Sequence, residues 1–244
     1  MDDYREEMFG ERMANFYDEW FPDCDERTIA RLAELAQGGP ALELGIGSGR
    51  VALPMHRAGV PVQGIDVSPA MVARLRARPG GADIPVTMGD FADVGVEGQF
   101  ALIYVVFNTF FGLRSQDRQI QCFENVARHL APGGVFLIDA FVPDPARFSG
   151  CQAVRTVKIE MNAVHLDISQ WDPLNQLITA QHVMLTEQGI RLFPMQLRYA
   201  WPAELDLMAR LAGLRLRERW ADWDRAPFTG DSARHISVYE AWRA

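Results

Sequence analysis

The sequence predicts an α/β fold in which a seven-stranded, mostly parallel sheet carries helices on both faces and a small antiparallel β insertion. Short apolar segments alternate with amphipathic helical segments from residue 41 to residue 141. Continuous apolar strands of this kind are typical of parallel sheets that are covered on both faces. From residue 153 to residue 200 the segments become longer and alternate in polarity, which predicts the insertion.

Each element of the main sheet follows from a local signal. Residues 100–107 form an unbroken apolar run, and the helix after the second strand begins with Ser68 as its cap and Pro69 at its first position. The predicted strands cover residues 41–44, 62–66, 85–88, 100–107, 135–141, 214–220 and 235–242. The predicted helices cover residues 26–37, 49–58, 69–78, 116–131 and 201–213.

Length, composition and charge favour a single domain, residues 1–244, in the cytoplasm. The 244 residues are 48% hydrophobic, which is sufficient for a full core. The formal net charge of −8 argues against nucleic acid or an anionic membrane as the main partner. The three cysteines have neither metal-site nor disulfide spacing, as expected in a reducing compartment. No apolar run approaches the roughly 18 residues that a membrane span requires.

Two segments of this domain are expected to cover the ligand site. Residues 1–37 contain a row of Met, Phe, Tyr and Trp side chains followed by a helical segment, which favours an N-terminal helical lid. Residues 151–200 contain the antiparallel insertion, whose inner face we expect to cover the substrate.

The most informative stretch is the turn after the first strand, which contains Gly45, Gly47 and Gly49. A strand, a tight glycine turn and a helix start let a ligand approach bare backbone, because no Cβ is in the way. The spacing is Gly-x-Gly-x-Gly, whereas a dinucleotide site has Gly-x-Gly-x-x-Gly. Glu43 lies two residues upstream, where a negative charge would repel a pyrophosphate and attract a cationic cofactor.

Two further acidic residues follow the next strands. Asp66 ends the second strand, where a carboxylate can accept hydrogen bonds from both hydroxyls of a ribose. Asp90 follows the third strand, where it can accept from the amino group of adenine while Met88 or Phe91 stacks on the ring. A ribose-binding aspartate fits NAD as well as S-adenosylmethionine. The glycine spacing and Glu43 favour S-adenosylmethionine, which carries a sulfonium and an ammonium.

Together these motifs resemble the class I S-adenosylmethionine-dependent methyltransferases, from about residue 15 to residue 142. The resemblance implies a Rossmann-like sheet and S-adenosylmethionine as the cofactor. It also implies that the glycine motif with its acidic residue wraps the methionine part of the cofactor, that Asp66 holds the ribose, and that Phe107 and Asn108 lie beside the sulfonium. The cofactor-binding residues implied by the resemblance are Tyr17, Glu43, Gly45, Gly47, Gly49, Asp66, Asp90, Phe91, Phe107 and Asn108. Tyr17 belongs to a lid element that contacts the cofactor carboxylate in some members.

Within this family the chain is similar in plan to amino-sugar and glycine/sarcosine N-methyltransferases. The resemblance therefore implies methyl transfer to N or O of a small-molecule acceptor, with N preferred. In-line transfer requires a neutral amine or a deprotonated hydroxyl, so a general base is expected among the polar groups near the cofactor. The candidate catalytic residues are His165, His182 and Asp139.

Alternative functions remain open at this point. One is a non-catalytic regulator or partner subunit that binds S-adenosylmethionine without turnover, since no base is obvious. A less favoured alternative is an NAD-dependent oxidoreductase, against which the glycine spacing argues. A third is a protein or RNA methyltransferase: the net charge of −8 disfavours RNA, whereas a peptide terminus remains open as the acceptor. The sequence offers no metal site, and it leaves the oligomeric state open between a monomer and a homodimer.

Overall fold

The computed structural model describes residues 4–21 and 24–242, and two β-sheets organise this part of the chain. The first five strands in chain order are β1 (Ala41–Leu44), β2 (Val62–Asp66), β3 (Val86–Met88), β4 (Phe100–Val105) and β5 (Leu130–Phe141). The next four are β6 (Gln152–Ile159), β7 (Ala163–Asp172), β8 (Leu177–Thr186) and β9 (Gly189–Arg198). The last two described strands are β10 (Leu214–Trp220) and β11 (Arg234–Ala241).

The main sheet has seven strands in the order β10-β11-β5-β4-β1-β2-β3. Strands β1 to β5 pair in parallel, and β11 is antiparallel to both β5 and β10. This confirms the predicted mostly parallel seven-stranded sheet. The strand order reverses between β1 and β4, and in open sheets of this type ligands bind beyond the carboxyl ends of the strands at such a point.

The described part of the chain contains seven α-helices: α1 (Glu7–Met13), α2 (Tyr17–Trp20), α3 (Glu26–Ala36), α4 (Ala52–Arg57), α5 (Pro69–Ala77), α6 (Gln116–His129) and α7 (Pro202–Leu211). Ser68 caps α5 as predicted, since its side chain accepts from the Met71 N–H. Helix α4 begins later than predicted because Gly49 has a φ of +77°, which is outside the helical region. None of these helices is long and apolar enough to cross a membrane.

The core lies in two layers on the two faces of the main sheet. One layer packs α6 and α7 against the sheet through Phe123, Phe136 and Met208. The other packs α3 and α4 through Leu32 and Met55. These layers give the strands of the main sheet the burial on both faces that their continuous apolar sequences predict.

The second sheet is antiparallel, with the strand order β6-β7-β8-β9, and it confirms the antiparallel insertion of the predicted fold class. Helices α1 and α2 are joined to it by a small apolar cluster in which Met13 packs with Met184 and Phe193. The N-terminal helices and the second sheet therefore lie together, and they face the carboxyl ends of the main sheet across a cavity.

Candidate active site

A cavity of about 540 Å³ lies between the two sheets and the N-terminal helices. We call one part the turn end, which is lined by Gly45, Gly47, Asp66, Asp90, Phe107 and Asn108. We call the other part the roof end, which is lined by Asp167, Ser169, Ile178, Ala180 and His182 of the second sheet. Tyr17 and Phe91 also line the cavity. Its volume is in the range of small-molecule sites, roughly 300–1,000 Å³.

The three glycines of the turn share one backbone requirement but differ in what surrounds them. All three have a positive φ, which favours glycine. A Cβ on Gly45 would lie 2.5 Å from Cγ2 of Thr109, and one on Gly49 would lie 2.4 Å from Cδ1 of Leu75. Gly49 lies outside the cavity lining and is required by packing, whereas Gly45 and Gly47 present bare backbone to the cavity.

Asp66 combines a structural contact with access to the cavity. Its Oδ2 accepts from the Gly47 N–H at 2.7 Å, and its Oδ1 accepts from the Ser68 N–H at 2.8 Å. The carboxylate therefore holds the glycine turn against the end of β2 while it lines the cavity. Burial raises the pKa of Asp66, and the backbone hydrogen bonds from Ser68 and Gly47 oppose that rise.

Glu43 lies behind the turn and does not line the cavity. It is 3% exposed, and Oε2 accepts a hydrogen bond of 3.0 Å from the Tyr104 hydroxyl. Burial raises the pKa of Glu43 to about 8, so the carboxyl is largely protonated at neutral pH. This corrects the sequence-based electrostatic argument, because the acidic groups that line the cavity are Glu6, Asp66, Asp90 and Asp167.

Asp90 and Phe91 both line the turn end. Oδ1 of Asp90 accepts from the Ala92 N–H at 2.8 Å, and Oδ2 forms an ion pair with Arg118. Burial and the nearby Asp90 both raise the pKa of Glu6, a cavity residue from the N-terminal segment. The Asp90 carboxylate is thus fixed from behind by Arg118.

Phe107 and Asn108 form a strained turn after β4, with φ values of +57° and +69°. Oδ2 of Asp139 accepts from the Phe107 N–H at 3.0 Å, and the Asp139 carbonyl accepts from the Asn108 N–H at 3.1 Å. Oδ1 of Asn108 in turn accepts from the Phe141 N–H at 2.8 Å. These contacts hold two consecutive non-glycine residues in a left-handed conformation at the turn end.

Asp139 does not line the cavity, although it was a candidate base. It is 1% exposed, and both of its carboxylate oxygens accept from Arg234, with a distance of 2.6 Å to Nη2. A carboxylate held by a guanidinium and a backbone amide is poorly placed to take a proton from a substrate. The geometry instead makes Asp139 the residue that fixes the Phe107–Asn108 turn.

The two candidate histidines occupy different positions on the second sheet. His182 lines the roof end, and its Nδ1 pairs with Oδ1 of Asp167. Oδ2 of Asp167 accepts from Arg155 at 2.7 Å. His165 is outside the cavity lining, and its Nε2 pairs with Glu160 at 3.1 Å. Of the three candidate bases, His182 alone lines the cavity.

Three residues that the sequence motifs do not mark also line the cavity: Arg50, Asp167 and Arg155. The Arg50 guanidinium lies 3.6 Å from the centroid of the Phe107 ring, and its buried Nε has no hydrogen-bond partner among the described residues. Arg50 could have been found from its place directly after the glycine turn. Asp167 could not, because it is identified only by lying opposite His182 in the β7–β8 register.

Comparisons with known proteins agree on one family. A methyltransferase domain family matches residues 41–134. The solved structure of the CcbJ methyltransferase from Streptomyces caelestis is 41% identical, with a TM-score of 0.91 and coverage of 98% of this chain and 100% of CcbJ. The chain belongs to the S-adenosylmethionine-dependent methyltransferases. This confirms the resemblance seen in the sequence, and none of these comparisons favours the oxidoreductase or the non-catalytic alternative.

Two more relatives of this methyltransferase are more distant. The curated cypemycin N-terminal methyltransferase from a Streptomyces species is 29% identical over 206 residues, which are 83% of each chain. The solved sugar N-methyltransferase KedS8 from Streptoalloteichus sp ATCC 53650 has a TM-score of 0.66 at 20% identity and shares the fold, with coverage of 92% of this chain and 91% of KedS8.

The residues of the turn end fit S-adenosylmethionine, the cofactor of this methyltransferase family. Gly45 and Gly47 leave room beside the backbone, and the carboxylates of Asp66 and Asp90 suit hydroxyl, amino and cationic groups. The Arg50 guanidinium has a free donor for a carboxylate. Within residues 4–21 and 24–242 of the methyltransferase, no three His, Cys, Asp or Glu side chains form a group that could hold a metal ion.

Proposed function

We propose that this methyltransferase transfers a methyl group from S-adenosylmethionine to a nitrogen of a small-molecule acceptor bound at the roof end. The observation that carries the proposal is one continuous cavity, which joins the glycine turn and Asp66 at one end to the His182–Asp167 pair at the other. A cofactor and an acceptor bound in one cavity are held close together, which favours an in-line reaction.

At the turn end we assign each part of the cofactor to residues of this chain. The cofactor supplies an electrophilic methyl group on its sulfonium. We infer that Asp66 binds the ribose hydroxyls and that Asp90 and Phe91 hold the adenine. The methionine part lies over Gly45 and Gly47, with its carboxylate on Arg50 and Tyr17, and Phe107 and Asn108 lie beside the sulfonium. Glu43 and Gly49 contribute by shaping the turn from behind.

The assignment of nitrogen as the methylated atom rests on the names of relatives and on a side chain of the roof end. The name of the sugar N-methyltransferase KedS8 specifies a nitrogen acceptor, and the name of the cypemycin N-terminal methyltransferase specifies an amino terminus. CalS10 from Micromonospora echinaspora, an amino pentose methyltransferase, also shares the fold, with a TM-score of 0.62 at 20% identity. The imidazole of His182 provides the roof end with a group that can accept a proton from an amine.

We propose that residues 1–37 act as a lid and that residues 151–200 cover the acceptor. Oε1 of Glu11 accepts from the Ser68 hydroxyl at 2.8 Å and from the Ala70 N–H at 3.0 Å, which ties α1 to the start of α5 beside Asp66. Residues 1–3, 22 and 23 of the proposed lid lie outside the described residues.

We also propose a cytoplasmic homodimer whose acceptor is not a nucleic acid. The net charge of −8 disfavours nucleic acid, and the three free thiols suit a reducing compartment. The outer face of the second sheet exposes Val154, Ile159, Ile168, Ile190 and Leu192. Four such strands present on the order of 600 Å², close to the ~800 Å² per partner of a standard interface. Light scattering should give the mass of a dimer, and a monomer would contradict this assignment.

The experiment that tests the function is methyl transfer from radiolabelled S-adenosylmethionine. The acceptors are paired amines and alcohols: glucosamine with glucose, and cyclohexylamine with cyclohexanol, together with the dipeptide Ala-Gly. We expect label on at least one amine and tight binding of S-adenosylhomocysteine by calorimetry. Cofactor binding with transfer to none of a broad set of amines, sugars and phenols would instead support a non-catalytic regulator.

A further inference from the structure

We propose that His182, held in position by Asp167, removes the proton from an acceptor that enters as an aliphatic ammonium ion. The inference rests on the proposed function and names its acceptor class. His182 would be the catalytic base, Asp167 its positioning residue, and Arg155 the group that fixes Asp167. Methyl transfer can proceed without His182 on the fraction of the acceptor that is already the free amine, so the two proposals can fail separately.

The carboxylate of Asp167 orients the imidazole of His182. Nδ1 of His182 is engaged by Oδ1 of Asp167 on the neighbouring strand, directly opposite in the β7–β8 register. A carboxylate on Nδ1 stabilises the tautomer with the proton on Nδ1, and Nε2 then carries the lone pair. Because His182 lines the cavity, that second nitrogen is the one left to meet an acceptor.

The carboxylate of Asp167 is stabilised in its negatively charged form. Oδ2 of Asp167 accepts from Arg155 Nη2 at 2.7 Å, so each oxygen of the carboxylate has a separate partner. Burial raises the pKa of Asp167, but the hydrogen bonds from His182 and Arg155 outweigh this and leave it lowered. Asp167 is therefore an anion in the working pH range and can stabilise the imidazolium formed by proton transfer.

Aromatic side chains surround the imidazole ring of His182. Phe9 from α1 lies 5.9 Å from the His182 ring centroid, and Trp20 from α2 lies 5.7 Å away. Phe193 lies opposite His182 on β9. His165 is a titratable group that also contacts Trp20, with 4.5 Å between the two ring centroids. Asp167 is thus the charged group that pairs with His182 in the described structure, and Arg155 acts on the imidazole through Asp167.

The acceptor class follows from the proton balance. Aliphatic amines, like lysine with an ordinary pKa of about 10.4, are protonated at neutral pH and carry no nucleophilic lone pair. In the proposed step the ammonium proton moves to Nε2 of His182 and from there to solvent. The nitrogen lone pair then forms the new N–C bond as the methyl–sulfur bond breaks, and that bonding pair stays on sulfur. An imidazole base suits this proton transfer near neutral pH.

The same sheet provides a matched control. His165 also pairs with a carboxylate, that of Glu160, and it also packs on Trp20, at 4.5 Å. This pair does not line the cavity. The substitutions Asp167→Asn and Glu160→Gln both convert a histidine-bound carboxylate into an amide, and they differ in whether that histidine can reach the acceptor.

The kinetic test measures the pH dependence of kcat/KM for the best amine among glucosamine, cyclohexylamine and Ala-Gly. We expect His182→Gln to lower the value at pH 7 by about 100-fold. For an acceptor amine with an ordinary pKa of about 10, the residual activity should rise about tenfold per pH unit as the free amine becomes more abundant, and it should approach the wild type near pH 9. For Ala-Gly, whose α-amino group has an ordinary pKa of about 8, the rise should end near pH 8. Asp167→Asn should lose at least tenfold, and Glu160→Gln should match the wild type. Binding of S-adenosylhomocysteine confirms that each variant is folded.

Unchanged activity and an unchanged pH profile in His182→Gln would overturn the inference while leaving the proposed function intact. Transfer to the alcohols in preference to the amines would also overturn it. Nitrogen NMR of the five histidines gives a readout that needs no acceptor. We expect the His182 signal, assigned by its loss in His182→Gln, to show the Nδ1–H tautomer. The Nε2–H tautomer in the wild type would contradict the proposal.

Discussion

The two ends of the cavity are built from different materials. The turn end consists mainly of backbone: glycines with positive φ, amides that donate to Asp66, and the left-handed Phe107–Asn108 turn. The roof end consists of side chains that contact one another across an antiparallel sheet, with Asp167 between His182 and Arg155. The turn end is part of the main core, whereas β6, which carries Arg155, is an exposed edge strand.

This difference separates two tasks. Backbone fixed by a buried parallel sheet holds a ligand of constant shape with little reorganisation. Side chains on an inserted sheet can be exchanged without changing the fold that binds the cofactor. Substitutions at the turn end should therefore act on cofactor affinity, and substitutions at the roof end should act on acceptor turnover.

The largest effect should come from Gly47→Val. A β-branched residue at a φ of +55° is strained, and its side chain would enter the cavity beside Met71. We expect calorimetry to show that S-adenosylhomocysteine binding is lost. Gly59→Val is the control, because Gly59 has a φ of +86° and open space around it. A fully active Gly47→Val variant would contradict the close approach of ligand and turn.

Asp66→Ala should have the next largest effect. It removes a carboxylate that lines the cavity and accepts from two backbone amides, so cofactor affinity should weaken by roughly 1–3 kcal/mol. Asp172→Ala is the matched control, since Asp172 also accepts from two backbone amides but lies in an exposed hairpin. If both variants bind S-adenosylhomocysteine like the wild type, Asp66 has no part in the ribose site.

Asp139→Asn tests whether a buried residue behind the turn end can lower turnover without acting as a base. The loss of its charge leaves Arg234 without a partner and loosens the Phe107–Asn108 turn, which we expect to lower kcat about tenfold. The pH profile should keep its shape, unlike that of His182→Gln. Asp206→Asn, which breaks the similar pair with Arg219 at 2.6 Å, should lower thermal stability without this loss of kcat.

The last prediction concerns stability rather than activity, and it follows from the protonation of Glu43. The pKa of Glu43 is about 8 in the folded protein, above its ordinary value of 4.5, so folding favours the protonated carboxyl. The resulting gain in the free energy of unfolding is fully present below about pH 4.5. That contribution is lost as the pH rises through about 8. Glu43→Gln should therefore lose less stability than the wild type between pH 5 and pH 8, measured by urea unfolding. Equal slopes for the two proteins would show that Glu43 is already ionised in the fold.

The sequence predicts the turn end better than the roof end for a physical reason. The glycines, Asp66 and Asp90 lie at strand ends that hydrophobic runs mark clearly, and parallel strands bring these ends together. The burial of Glu43 and the confinement of Asp139 depend on contacts with Tyr104 and Arg234, which are distant in the sequence. Strand spacing alone does not reveal such contacts.

The roof end depends on the register of one hairpin. The loop between β7 and β8 places Asp167 opposite His182. A slip by one residue would place Leu166 or Ile168 there and turn the histidine partner to the other face. The Asp-Pro-Leu-Asn turn at residues 172–175 predicts the hairpin but does not fix its register. This is why His165 and His182 appear equivalent in the sequence and differ in the structure.

A crystal structure with S-adenosylhomocysteine tests the account most directly. We expect the ribose at Asp66, the adenine at Asp90 and Phe91, and the thioether sulfur facing the roof end that contains His182. A cavity that stays empty at saturating ligand, or a sulfur that faces away from the second sheet, would contradict the division of this cavity into a cofactor end and an acceptor end.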